Sequence, residues 1–198
     1  MSYDSDFYTA YANYLKEPAV REAHDWMFAI VAKTVPALSH VVDLGCGQFN
    51  EYYHHARPKK YLGLDVNVEP SQRPGRRLVQ DDYRTADLKR IVGRSRPTGF
   101  VSLFSCENTA PVEDNYRFYR QLFNQFGFRA GLVSGFFYSG CRDINPIGEA
   151  GGIQSFQMLE NIEDVRCEEF VERRIVLPVP SKLFGANVYE GWKIFVGR

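Results

Sequence analysis

The chain has 198 residues, 44% of them hydrophobic, and its 24 basic side chains balance 24 acidic ones to a formal charge of zero. A chain of that length holds one domain that buries roughly 70% of its unfolded surface, so stability requires neither disulfides nor a structural metal. Charge neutrality argues against the basic stripe with which proteins track phosphates, and nucleic acid is an unexpected partner.

Residues 3–38 have helical periodicity, with Phe7, Tyr11 and Tyr14 recurring at three and four, then Trp26, Ile30 and Ala32 after a break at Pro18. Two leading helices are predicted there, with Trp26 and, near the other end of the chain, Trp192 as core aromatics. The apolar run Val41-Val42-Asp43-Leu44 stops at Gly45-Cys46-Gly47, as a buried parallel strand does when it passes into a tight turn. Alternation follows: a helix over Asn50 to Ala56, a strand Tyr61 to Asp65, a strand Arg77 to Gln80, a helix Tyr83 to Val92 and a strand Phe100 to Phe104. Arg73 to Arg77 contains Pro74 and Gly75 and reads as an exposed loop feeding its strand, not a phosphate track. A helix Asn115 to Phe126 precedes a strand at Arg129 to Phe136. Strands separated by helices make an α/β sheet of parallel neighbours, because a parallel pair needs a connection of about a dozen residues. The runs Glu168 to Val179 and Asn187 to Val196 have no helix between them, so the final pair is predicted to be antiparallel.

Three strand ends carry acid. Asp43 precedes the Gly45 and Gly47 pair, where glycine permits positive φ and a close backbone approach to a ligand. Asp65 closes Tyr61-Leu62-Gly63-Leu64 about twenty residues after that loop, and a carboxylate there can accept two hydrogen bonds from a ribose diol; capping a turn is the competing reading. Asp81 and Asp82 close Leu78-Val79-Gln80 ahead of Tyr83, and a helix N-cap competes for either of them. A fourth strand, Val101 to Phe104, runs into the polar loop Ser105-Cys106-Glu107-Asn108-Thr109-Ala110-Pro111. That loop lies where ligands of open α/β sheets sit.

This ordered set resembles the class I S-adenosylmethionine-dependent methyltransferases, whose first motif has the form D-x-G-x-G-x-G; Asp43, Gly45 and Gly47 match it and Phe49 stands at the third glycine. With Asn50 at the last position, G-x-G-x-x-G is not met either, which disfavours a dinucleotide pyrophosphate. The resemblance covers nearly the whole chain. It implies a doubly wound, Rossmann-like, mostly parallel seven-stranded sheet with an antiparallel last strand and helices on both faces, in a single methyltransferase domain: leading helices over 1–38 and a core over 39–198. It further implies S-adenosylmethionine as cofactor, with S-adenosylhomocysteine as product, held by Asp43, Gly45, Cys46 and Gly47, by Asp65 with Val66 at the ribose, by Asp82 or Asp81 at the adenine amino group with Tyr83 beside the ring, and by Ser105. Tyr11 and Tyr14 resemble the leading-helix tyrosines that close over the sulfonium in such enzymes, although aromatics at helical spacing are as readily core.

Glu107 is the best-placed general base if the acceptor must lose a proton, with Tyr138 and His24 as weaker options. Asn108 and Tyr138 are candidate acceptor contacts, and the glycine-bearing stretch from Tyr138 to Ser155 would frame the pocket. The Ser105 to Pro111 loop lacks the tetrapeptides of amino-methylating nucleic-acid enzymes, which counts against a base-flipping role; neutral charge and compact size favour a small-molecule acceptor, with a protein or RNA acceptor or an inactive cofactor-binding module as alternatives. Cys46, Cys106, Cys141 and Cys167 form no C-x-x-C pair, and His54-His55 lack a third ligand at suitable spacing, so no metal site is expected. The acidic, tyrosine-rich beginning has no long apolar run, which predicts a cytoplasmic protein with no membrane partner. Oligomeric state is not written in these features.

Overall fold

The computed structural model describes residues 5–93, 96–106, 110–138, 164–166, 169–180 and 188–198. Glu107, Asn108 and, of the Tyr138 to Ser155 stretch named above for the acceptor pocket, all but Tyr138 lie outside them, as do Cys141 and Cys167. In chain order the elements are α1 (Ser5–Tyr14), α2 (Pro18–Thr34), a 3-10 turn (Pro36–Ser39), β1 (His40–Leu44), α3 (Glu51–Ala56), β2 (Lys60–Asp65), β3 (Ser71–Arg73) and β4 (Arg76–Gln80). They continue with α4 (Leu88–Gly93), β5 (Gly99–Leu103), α5 (Val112–Phe126), β6 (Ala130–Tyr138), β7 (Asp164–Arg166), β8 (Phe170–Pro180) and β9 (Val188–Gly197).

Among the described residues one nine-stranded sheet runs in the order β3-β4-β2-β1-β5-β6-β9-β8-β7. The five central strands β4, β2, β1, β5 and β6 are parallel, and β9 enters antiparallel between β6 and β8. This is the doubly wound sheet expected, with a short antiparallel strand added at each edge: β3 on β4 and β7 on β8. The added β3 corrects the reading of Arg73 to Arg77 as a loop. Gly75 takes φ +75°, and the chain folds back through Pro74-Gly75 into a hairpin in which Arg73 faces Arg76.

The predicted helix from Tyr83 to Val92 is shorter than its periodicity suggests and begins only at Leu88. Asp82 is responsible: its side chain accepts the Arg84 N–H at 2.9 Å, and its carbonyl accepts both Thr85 and Ala86 N–H, which fixes a turn in place of the first helical turns. Along α2 the buried stripe is Val20, His24, Met27, Phe28 and Val31. Trp26 is therefore turned outward and is 53% exposed, contrary to its assignment as core, whereas Trp192 is fully buried as expected.

Successive residues of each strand serve opposite faces. On one face Val41, Tyr61, Leu132, Trp192 and Ile194 pack under α1, α2 and α3. On the other, Val42, Leu44, Leu62, Phe100 and Phe195 pack under α4 and α5, where Tyr119, Leu122 and Phe123 supply the buried stripe of α5. Asp43, between Val42 and Leu44, consequently projects to the α1–α3 face, at the carboxyl end of β1. Among the described residues no helix is long and apolar enough to cross a membrane.

Candidate functional site

The turn after β1 is built from two left-handed glycines, Gly45 at φ +77° and Gly47 at φ +56°. A β-carbon on Gly45 would lie 2.0 Å from Ser105 Oγ, so any larger residue would collide with the β5 loop. Gly47 has open space where a side chain would stand. The loop is tied to β2 by Gly45 and Cys46 N–H, both donated to the Leu64 carbonyl, and by Gly47 N–H, which donates to Asp65 Oδ2 at 3.0 Å. Asp65 Oδ1 accepts Asn67 N–H at 2.8 Å. A carboxylate has about four lone-pair directions, so Asp65 both caps its own turn and retains acceptor capacity toward the crevice. The two sequence-level readings of Asp65 coexist in one side chain.

The crevice opens at the carboxyl ends of β1, β2 and β5. Asp43, Gly45, Cys46 and Gly47 line one wall, Phe49, Glu51 and Asp65 continue it, and Tyr11 with Leu103, Phe104 and Ser105 completes it. Three of these side chains are carboxylates and none is basic. The free volume is about 90 Å³, because the Tyr11 ring lies over the mouth with centroids 5.8 Å from both Phe49 and Phe104. A small-molecule site usually offers about 300–1,000 Å³, so any sizeable ligand must turn the Tyr11 and Phe49 rings aside.

Asp43 is buried, and Tyr61 donates its hydroxyl to Oδ2 at 2.7 Å, while Oδ1 is buried with no hydrogen-bond partner. Burial raises the Asp43 pKa to about 7, against the pull of the Tyr61 hydrogen bond and with help from the Asp65 and Glu51 charges. Its unsatisfied oxygen is a place for a donor or cation. Cys46 contributes a neutral thiol, since burial pushes its pKa far up.

Behind the crevice wall lies a buried charge relay that joins distant parts of the sequence. Tyr11 donates its hydroxyl to Glu51 Oε2 at 3.1 Å; Glu51 Oε1 pairs with His24 Nδ1. On its other side His24 Nε2 meets Glu190 Oε2 at 2.6 Å. Glu190 also accepts the Tyr14 hydroxyl and, at 3.3 Å, Trp192 Nε1–H. Burial disfavours a charged imidazole, but Glu190 and Glu51 outweigh it and hold His24 well above its ordinary pKa, with Nε2 hydrogen-bonded to Glu190 and Nδ1 ion-paired with Glu51. The Tyr11 pKa is raised by burial and by the same two carboxylates, which keeps its hydroxyl protonated and donating.

Of the residues singled out in the sequence, Tyr11, Asp43, Gly45, Cys46, Gly47, Asp65 and Ser105 meet at the crevice. Tyr14 stands behind it on Glu190, and Val66 follows Asp65 at the surface, 53% exposed. Asp81 and Asp82 are engaged in turn hydrogen bonds, Asp81 Oδ1 with Asp82 N–H and Asp82 Oδ1 with Arg84 N–H. Tyr83 is buried, with its hydroxyl 2.9 Å from Ser105 Oγ, under the Gly45 turn and off the crevice lining. His24, a weaker option for the general base, lies at the centre of the relay between Glu51 and Glu190, and it is not among the residues that line the crevice. Glu51 and Glu190 were not foreseen. Glu51 carried one usable signal, an acid directly after the glycine loop; Glu190 carried none, since it sits 166 residues from His24.

The sequence matches no protein-family model and no curated protein. Solved structures do resemble the fold. A Burkholderia thailandensis 1,6-didemethyltoxoflavin-N1-methyltransferase, with bound 1,6-didemethyltoxoflavin and S-adenosylhomocysteine, is 18% identical, with a TM-score of 0.57 over 98% of this chain and 86% of that one. A putative type II methyltransferase from Anaeromyxobacter dehalogenans is 10% identical with a TM-score of 0.41, over 88% of this chain and 95% of that one. The amino pentose methyltransferase CalS10 from Micromonospora echinaspora, with bound SAM, is 17% identical with a TM-score of 0.42, over 100% of this chain and 84% of that one. The likeness to the first places the chain in the class I methyltransferase fold.

Proposed function

We propose that this chain is an S-adenosylmethionine-dependent methyltransferase acting on a small-molecule acceptor. The observation that carries the reading is the crevice itself: a positive-φ glycine turn at the tips of parallel strands, lined by Asp43, Glu51 and Asp65 and, among the described residues, by no basic side chain. Such a lining suits a ligand bearing sulfonium and ammonium charges and repels a pyrophosphate, which weighs against a dinucleotide. The residues fit the cofactor in three respects. Asp43 Oδ1 is a buried acceptor awaiting a donor, Asp65 retains lone pairs for a ribose diol, and Gly47 leaves room beside it.

When bound, S-adenosylmethionine supplies a methyl group already activated by its sulfonium, so the protein's share is alignment and exclusion of water. Gly45, Gly47 and Asp65 hold a rigid floor through the Leu64 and Asp65 hydrogen bonds. Tyr11, fixed by Glu51 and facing Phe49 and Phe104, closes the mouth. Ser105 at the crevice begins the acceptor side, and Glu107 and Asn108, two and three residues later in the sequence, are assigned to the acceptor, Glu107 for proton removal where the acceptor requires it. Tyr138 ends β6, which runs parallel to β5, and is our further acceptor contact. Support for a small acceptor comes from neutral charge and from the Burkholderia enzyme, which shares the fold and binds a small heterocycle. Asp82 or Asp81 at the adenine, a single domain spanning the chain and a cytoplasmic location belong to the same reading.

Calorimetric titration tests it. The expected result is saturable binding of S-adenosylmethionine with none of NAD. Absence of S-adenosylmethionine binding, or preference for NAD, overturns the reading. One observation favours a second reading, that of a module without catalysis: the small free volume under Tyr11 and Phe49. It is distinguished by binding of S-adenosylhomocysteine unaccompanied by any methyl transfer to a panel of small amines, hydroxyl compounds and thiols.

A further inference from the structure

The crevice is electrically one-sided, and the relay behind it does not correct the imbalance. His24 carries one positive charge and is shared between Glu51 and Glu190, both buried, so the set keeps one negative charge in excess. Asp65 adds a further carboxylate on the same crevice, and Asp43, its pKa raised to about 7 by burial, adds its charge only as pH rises through neutrality. Tyr11 reaches Glu51 as a neutral donor and does not cancel the charge. The Phe104 ring packs against His24 on one side and Tyr11 on the other, which keeps water away from the pair. Charges in such surroundings act far more strongly than in water.

Methyl transfer changes the charge of the bound molecule and little else. S-adenosylmethionine has a positive sulfonium; S-adenosylhomocysteine has a neutral thioether and is otherwise the same, so any difference in affinity isolates the methyl and its charge. We infer that this crevice separates donor from product by charge, holding S-adenosylmethionine more tightly than S-adenosylhomocysteine, and that Glu51 is the specificity-determining side chain. The inference rests on the crevice being the S-adenosylmethionine site. It makes the spent product the weaker ligand, so the protein is not held in its product complex, and Glu51 does this while its Oε2 hydrogen bond keeps Tyr11 over the mouth.

The test is calorimetry with three probes on the whole chain: S-adenosylmethionine, S-adenosylhomocysteine and sinefungin, which carries a protonated amine near the sulfonium position. In the native protein both cationic probes are expected to bind at least about tenfold more tightly than S-adenosylhomocysteine. Glu51→Gln, which keeps size and the Tyr11 acceptor, is expected to compress that ratio to within about threefold. Equal or tighter binding of S-adenosylhomocysteine to the native protein overturns the inference, as does an unchanged ratio in Glu51→Gln. If that variant does not fold, Asp65→Asn is measured in its place, with a compression of the same ratio expected and an unchanged ratio again contradicting it. Failure of all three probes to bind instead refutes the site assignment, a different outcome from binding without discrimination.

Discussion

The two faces of the central sheet are built on different chemistry. Under α4 and α5 the core is mainly aromatic: Phe100 stacks on Tyr119 and Phe195, Phe123 and Phe170 close around them, and the buried Glu172 and Lys193 pack on Tyr116, away from the crevice lining. Under α1, α2 and α3 the core admits His24, Asp43, Glu51 and Glu190, all buried and all near the strand tips. The first face derives its stability from buried apolar area. The second gives up some of that gain to hold charges where a ligand arrives, as sites commonly do. Stability and binding should therefore respond to substitution on different faces.

The largest expected effect is on the aromatic face. Phe100→Ala should cost about 3–5 kcal/mol of unfolding free energy, measured in urea, with ligand affinity of the remaining folded protein unchanged. A parallel loss of affinity would mean the faces are not separable. On the polar face, Asp43→Asn should flatten the pH dependence of stability. The folded Asp43 pKa is raised, so its contribution is fully present below the unfolded carboxyl value and is lost as pH rises through about 7. Between pH 5 and 8 the native protein should lose roughly 2–3 kcal/mol more than the variant. Parallel curves would show that burial does not raise the Asp43 pKa as described.

Asp65→Ala should weaken S-adenosylmethionine binding by about 1–3 kcal/mol, read by calorimetry, while stability changes less because only the Gly47 and Asn67 hydrogen bonds are lost. Unchanged affinity would move the ribose elsewhere. The smallest effect is expected of Phe49→Ala, which removes one of the rings over the mouth and should tighten binding by under about 1 kcal/mol. Weaker binding would show that Phe49 holds the ligand and does not obstruct it.

What the sequence disclosed follows the same division. The strand tips were legible because the signals are local: Asp43, Gly45 and Gly47 within five residues, and Asp65 at the end of an apolar run. The final antiparallel pair was legible because no helix fits between Val179 and Asn187. The relay was hidden because its energy comes from pairing across the fold, His24 with Glu190 and Tyr11 with Glu51, and single-residue periodicity treats each as a polar interruption. The same blindness shifted the buried face of α2, since counting His24 as polar left Trp26 to mark the core. The late start of the helix predicted from Tyr83 came from competition by the Asp82 side chain, which periodicity does not weigh.

The most direct measurement is a crystal structure of the protein with S-adenosylhomocysteine. The expected result is nucleoside density along Gly45 and Gly47 with the ribose on Asp65 and the Tyr11 and Phe49 rings swung from their present contact. Density away from Asp65, or rings left in contact over an unfilled crevice at saturating ligand, would contradict it.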